Sequence, residues 1–188
     1  LERKFWRERE KELVDKLHIQ ATTDQLTGIF NRRVVFDALD EAMEKANESQ
    51  DREFTTIMFD IDFFKQVNDT HGHAGGDAVL ISFAKLLESE ITSPNIVGRI
   101  GGEEFLAILY LNHDQAAEFC KKLIIKINDN TVNFDGIDIK ISSSGGVAFS
   151  SETNTSADLT NKADERLYEA KKSGRNRFKL IDSELVGD

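Results

Sequence analysis

The order of apolar runs predicts an α+β domain, with a central and mainly antiparallel sheet flanked by helices. Three observations carry this. The run FTTIMFD at 54–60 reads as a buried strand. Two turn pairs, Gly101-Gly102 and Asp135-Gly136, each lie between apolar runs, as hairpins require. Stretches of helical periodicity separate the strands, in the order strand, helix, hairpin, helix, strands, helix, strand.

The elements follow in chain order. Residues 1–22 read as a helix rich in charges of both signs. Trp6, Leu13, Leu17 and Ala21 give it a thin apolar stripe near heptad spacing, too short to be a coiled coil alone. Such a helix either packs on the domain or pairs with a second copy. After the turn at Gly28, Asn31 can cap a helix running to about Ser49. Strand 54–60 ends in carboxylates and a short helical turn, 63–69. A helix over 75–90 has Val79, Phe83, Leu86 and Leu87 on its apolar face, and Pro94 breaks the chain after it. Strands 96–100 and 104–110 meet across Gly101-Gly102. A helix over 113–129 precedes strands at 132–134 and 137–149. The last helix, 157–172, aligns Leu159, Ala163, Leu167 and Ala170, and Gly174 is placed to end it. A strand at 177–181 closes the order. The expected organisation is a signalling-type helix at 1–22, one domain at 23–182 and a tail at 183–188.

Composition narrows the function. The chain has 188 residues, 39% hydrophobic and 31% charged, enough for one domain with a real core. Its formal charge is −10, from 24 basic and 34 acidic residues. Such a chain gains nothing from counterion release, which excludes a general nucleic-acid binder but not a local nucleotide site. The single cysteine, Cys120, allows no intramolecular disulfide and fits a reducing cytoplasm. No run of about 18 apolar residues exists to span a membrane. Starting at Leu1, inside a charged helix, the chain reads as a piece of a longer cytoplasmic protein. A sensor or a membrane anchor would then lie upstream.

The chemistry concentrates at two points. Asp60 and Asp62 end a buried strand, and Glu103 and Glu104 sit at a hairpin tip. In a sheet these points can be neighbours, and carboxylates facing each other repel unless a cation lies between them. Magnesium suits one or two carboxylates plus substrate phosphates. Gly101-Gly102 lets backbone approach a ligand. The turn at Phe63-Phe64-Lys65 opens a helix, so its N–H groups and the Lys65 charge suit an anion. Asn68 and Asp77 have the donors and acceptors to read a base edge, Asp77 as acceptor for guanine N1–H and N2–H. His71-Gly72-His73 has no cysteine near it, which argues against zinc. Lys171 and Arg175 lie one helical turn apart beside Gly174, where the helix dipole favours cations in any case.

Together these segments resemble the GGDEF family, the diguanylate cyclases. The likeness covers nearly the whole chain after about Asp24. It rests on Asp24-Gln25-Leu26-Thr27-Gly28 with Asn31-Arg32-Arg33, on Asp60 to Asp77, and on the signature Arg99-Ile100-Gly101-Gly102-Glu103-Glu104-Phe105. Ser144-Gly145-Gly146-Val147-Ala148 and Tyr168-x-Ala170-Lys171-x-x-Gly174-Arg175-Asn176 complete it. The resemblance implies a fold like adenylyl cyclase and polymerase palm domains. It implies magnesium, or manganese in its place, on Asp60, the Ile61 carbonyl and Glu103. Glu104 would join a second metal or help deprotonate the attacking hydroxyl. Lys65, Lys171 and Arg175 would grip phosphates, Lys65 also offsetting transition-state charge. Asn68 and Asp77 would bind guanine, with His73, Phe63 and Phe64 around the nucleotide. The implied reaction is condensation of two GTP into cyclic di-GMP, each held by one copy of a homodimer. One departure stands out. The family's Arg-x-x-Asp product-inhibition site aligns with Thr92-Ser93-Pro94-Asn95, where both charges are missing. The rival reading is a non-catalytic nucleotide-binding module of the same fold; degenerate signatures mark such proteins, and this one is intact.

Overall fold

The computed structural model describes residues 2–49, 52–181 and 185–187. Its centre is β1 (Thr55–Ile61), whose seven residues are all buried. Strand β1 pairs antiparallel with β3 (Glu104–Leu109) on one side and β6 (Ser143–Phe149) on the other. The full sheet runs β2-β3-β1-β6-β7-β8, where β2 is Ile96–Gly101, β7 is Phe178–Lys179 and β8 is Leu185–Val186. Among the described strand pairs of this sheet only β6–β7 is parallel, so the sheet is mainly antiparallel, as expected.

Side chains of β1 alternate between two cores. Ile57, Phe59 and Ile61 face α3 (Phe64–Glu90) and α4 (His113–Asp129). There Phe59 makes edge contacts with Phe83 and Phe178, and Phe83 with Phe105, at centroid distances of 6.5, 5.7 and 5.1 Å. Phe54 and Met58 face α2 (Arg32–Glu48) and α5 (Ser156–Lys172), against Val35, Leu39, Leu159, Ala163 and Leu167. The same alternation turns Asp60 toward the α5 face. Helix α5 lies very close to β6, since a Cβ added at Gly146 would fall 1.8 Å from the Ala163 carbonyl oxygen.

Helix α1 (Glu2–Thr22) leaves this body, and the side chains from Trp6 to Ala21 are all exposed. It is therefore not packed on the domain. Its last turn is tied to α2 by Asn31, whose Oδ1 accepts from Val34 N while its Nδ2 donates to the Ala21 carbonyl.

Four expectations change. The helical pieces at 63–69 and 75–90 are one helix, α3, kinked at Gly72 (φ 72°, ψ 173°). The run 137–149 splits. Residues Ile137–Lys140 form β5, which pairs with β4 (Thr131–Phe134) in a separate two-stranded sheet, and β6 starts at Ser143. The closing strand is shorter than 177–181. Within the segment expected to be a tail, Leu185–Val186 pairs with β7, while 182–184 and 188 lie outside the described residues.

Candidate active site at the end of β1

The β2–β3 hairpin turns on Gly102-Glu103, with Gly101 opposite Glu104 and Gly102 at φ 43°. Cross-strand pairing sets Glu104 directly against Asp60. The Ile61 amide donates to the Glu103 carbonyl at 3.3 Å, docking the hairpin tip on the end of β1. Two distant segments thus bring Asp60, Ile61, Glu103 and Glu104 to one point. On the α5 face, Lys171 Nζ lies 2.8 Å from Asp60 Oδ2. The close packing at Gly146 is what lets α5 deliver Lys171 there.

Asp60 is only 7% exposed. Burial pushes its carboxyl above the usual aspartate range, pairing with Lys171 only partly offsets this, and Glu103 and Glu104 push it up further. A divalent cation fits this donor set, because hard oxygen ligands are crowded together with more negative charge than one ammonium neutralises. Among the described residues no three Asp, Glu, His or Cys side chains converge as a metal cage. Magnesium does not require one when substrate oxygens and water complete its shell.

The segment expected to meet an anion is the start of α3. Phe63 adopts a left-handed conformation (φ 55°) and α3 begins at Phe64, so the first-turn N–H groups face outward from the helix end. The Phe64 side chain is buried in the core, which leaves its main chain as the only part able to meet a ligand. Lys65 is exposed, and the Arg175 guanidinium stacks on the half-exposed Phe63 ring at 4.6 Å. Past the kink at Gly72, the helix folds so that Asn68 packs against Gly76, where a Cβ would sit 2.0 Å from Asn68 Oδ1. Asp77, the residue after Gly76, is exposed, as is His73.

Two groups do not behave as the sequence suggested. Asp62, a metal-ligand candidate by position, is buried and already engaged. Its Oδ1 accepts from Ser144 Oγ at 2.7 Å, and its Oδ2 from Ser142 Oγ at 2.8 Å and Asn176 N at 2.9 Å. Arg99, which opens the signature, also has a structural part. Its Nε donates to the Gly102 carbonyl at 2.8 Å and its Nη1 to Asp24 at 3.1 Å, tying the hairpin to the turn that follows α1. Burial would raise the Asp24 carboxyl, but Thr27 and Arg99 hold it below the usual range. At the would-be inhibition site, Asn95 Oδ1 accepts from Tyr110 N, and Thr92 receives the Asn95 N–H on its carbonyl.

Residues 21–177 match the family described as diguanylate cyclase, GGDEF domain. The chain is 36% identical over 170 residues to diguanylate cyclase DgcS of Shewanella oneidensis, covering 90% of this chain and 56% of that one. It is 35% identical over 168 residues to diguanylate cyclase A of Treponema denticola, covering 87% and 45%. The chain thus spans about half the length of these two relatives. Among solved structures, the coiled coil and GGDEF domain of Caulobacter crescentus DgcB, in complex with c-di-GMP, superposes with a TM-score of 0.86 at 27% identity and 96% coverage of both chains. Pseudomonas aeruginosa SiaD, in complex with its activator SiaC, gives 0.82 at 32% identity, covering 95% of this chain and 68% of that one. With its fold, its hairpin and 157 of its 188 residues (21–177) inside that match, the chain belongs to the GGDEF family of diguanylate cyclase domains.

Proposed function

We propose that this domain condenses two GTP into cyclic di-GMP and two pyrophosphates, magnesium-dependent and as a homodimer. The observation that carries the proposal is the pairing of Asp60 with Glu104 at a docked hairpin tip, with Lys171 against Asp60. A bound magnesium or manganese ion would polarise the phosphoryl group and offset its charge. Asp60, the Ile61 carbonyl and Glu103 are the ligands proposed for it. Asn68 and Asp77 hold guanine, and His73 lies near the nucleotide. The amides of Phe63 and Phe64, with Lys65, Lys171 and Arg175, hold the triphosphate. For Lys171 to reach a phosphate, its pair with Asp60 has to open. Glu104 stands across from Asp60; it would join a second metal or help deprotonate the attacking 3′-hydroxyl.

One site holds one GTP, so the second reactant comes from another copy facing it. Positioning and electrostatics then supply most of the rate. The exposed α1 suits pairing of two copies, and an upstream sensor in a longer cytoplasmic protein would act through it. The Asp24–Arg99–Gly102 chain of contacts links that helix to the hairpin. With Thr92 and Asn95 in place of the charged pair, the domain lacks the family's product brake.

The test is to incubate the pure chain with GTP and magnesium and to separate the products, with Glu103→Ala alongside. Wild type should form cyclic di-GMP, and the variant should be slower by about 10²-fold or more. No product from wild type at high protein concentration would favour a regulatory module of the same fold.

A further inference from the structure

We infer that Asp62 is a positioning residue for the triphosphate arm of the site, acting on Arg175 through the main chain of Asn176. The inference rests on the nucleotide reading above. Asp62 is 4% exposed and joins three segments that are remote in sequence: the end of β1, the start of β6 through Ser142 and Ser144, and the turn after α5 through Asn176 N. That turn is in a conformation its residues disfavour. Arg175 (φ 63°) and Asn176 (φ 50°) are both left-handed, one after the other, as is Phe63 (φ 55°) beside Asp62. Non-glycine residues hold such a conformation only when their surroundings fix it.

Asp62 supplies that fixing on both sides. Its carboxylate holds the Asn176 N–H, and its own N–H donates to the Ser142 carbonyl at 2.9 Å. Beyond the turn, Arg177 accepts from Gly145 N, so the loop is pinned at both ends. The result is a guanidinium stacked on the Phe63 ring, at the mouth of the helix start that would meet phosphate. A carboxylate that bonds two hydroxyls and a main-chain amide is a strong tether, because each bond is charge-assisted. Asp62 therefore shapes phosphate binding without touching phosphate, whereas Asp77 lies beyond the Gly72 kink.

The experiment compares binding of 3′-deoxy-GTP, which has no nucleophile, with binding of GMP by calorimetry in magnesium. Asp62→Ala should weaken 3′-deoxy-GTP about tenfold and leave GMP within about twofold. Asp62→Asn keeps an oxygen for the Asn176 N–H and should recover most of the loss. In an Arg175→Ala background, Asp62→Ala should add nothing. Equal weakening of both ligands, or a full further loss in the Arg175→Ala background, overturns the inference. If Asp62→Ala does not fold, the Ser142→Ala/Ser144→Ala double variant decides by the same comparison. A wild type that binds neither ligand overturns the nucleotide reading itself, while a wild type that binds and an Asp62→Ala chain that binds equally well overturn this inference alone.

Discussion

Helix α5 carries a cation to each end of the sheet, and the two ends are built on opposite electrostatic plans. At one end Arg166 meets Glu152 through two short bonds, Nη1 to Oε2 at 2.7 Å and Nη2 to Oε1 at 2.6 Å. Its Nη1 also donates to the Val147 carbonyl, and Glu152 accepts the Phe149 N–H. Burial would raise the Glu152 carboxyl, but these partners hold it below the usual range. At the other end Lys171 meets Asp60 as a single point charge, with Glu103 and Glu104 nearby, and the Asp60 carboxyl is held high. One pair is complete within the chain; the other is crowded with like charge. A complete pair stabilises a fold, whereas an incomplete one is where a ligand can gain affinity.

The largest expected effect is at the complete end. Glu152→Gln strands a nearly buried guanidinium and should cost about 3 kcal/mol in chemical denaturation, with nucleotide affinity retained. Gly146→Ala puts a methyl group into the α5 backbone and should cost about 2 kcal/mol. Because α5 then shifts, it should also weaken nucleotide binding, which Glu152→Gln does not. At the incomplete end the sign reverses. Asp60→Asn removes a carboxylate held in an unfavourable place and should stabilise the ligand-free chain by about 1 kcal/mol while abolishing activity.

The pH dependence separates the ends again. Glu152 has a depressed value, so its contribution is present above the ordinary carboxylate range and is lost as pH falls through that depressed value. Asp60 has a raised value, so between the ordinary aspartate value and the raised one the folded chain binds more protons, and stability falls as pH rises. Stability measured against pH should lose the first feature in Glu152→Gln and the second in Asp60→Asn.

Much of this was legible in the sequence, for local reasons. Helix periods, the Asn31 cap and the glycine pair of the hairpin each act over a few residues, and strand alternation then assigns Asp60 to a face. What was hidden is non-local. The partners of Asp62 are 80, 82 and 114 residues away, and nothing around Asp62 announces them. The break between β5 and β6 falls at Ile141-Ser142, with no Gly or Pro between 137 and 144 to mark it, because Ser142 is held by Asp62 rather than by a turn of its own. Strand β8 is two residues long and exists through pairing with β7, so no periodicity could reveal it.

The central claim is that the Asp60 end is unsatisfied until a cation and a nucleotide arrive. Thermal melting of wild type and Asp60→Asn, each alone and with magnesium plus 3′-deoxy-GTP, tests it most directly. Alone, Asp60→Asn should melt higher than wild type; with the ligands, wild type should rise above the variant, which gains little. A variant that melts lower than wild type without ligand, or that gains as much from the ligands, would contradict it.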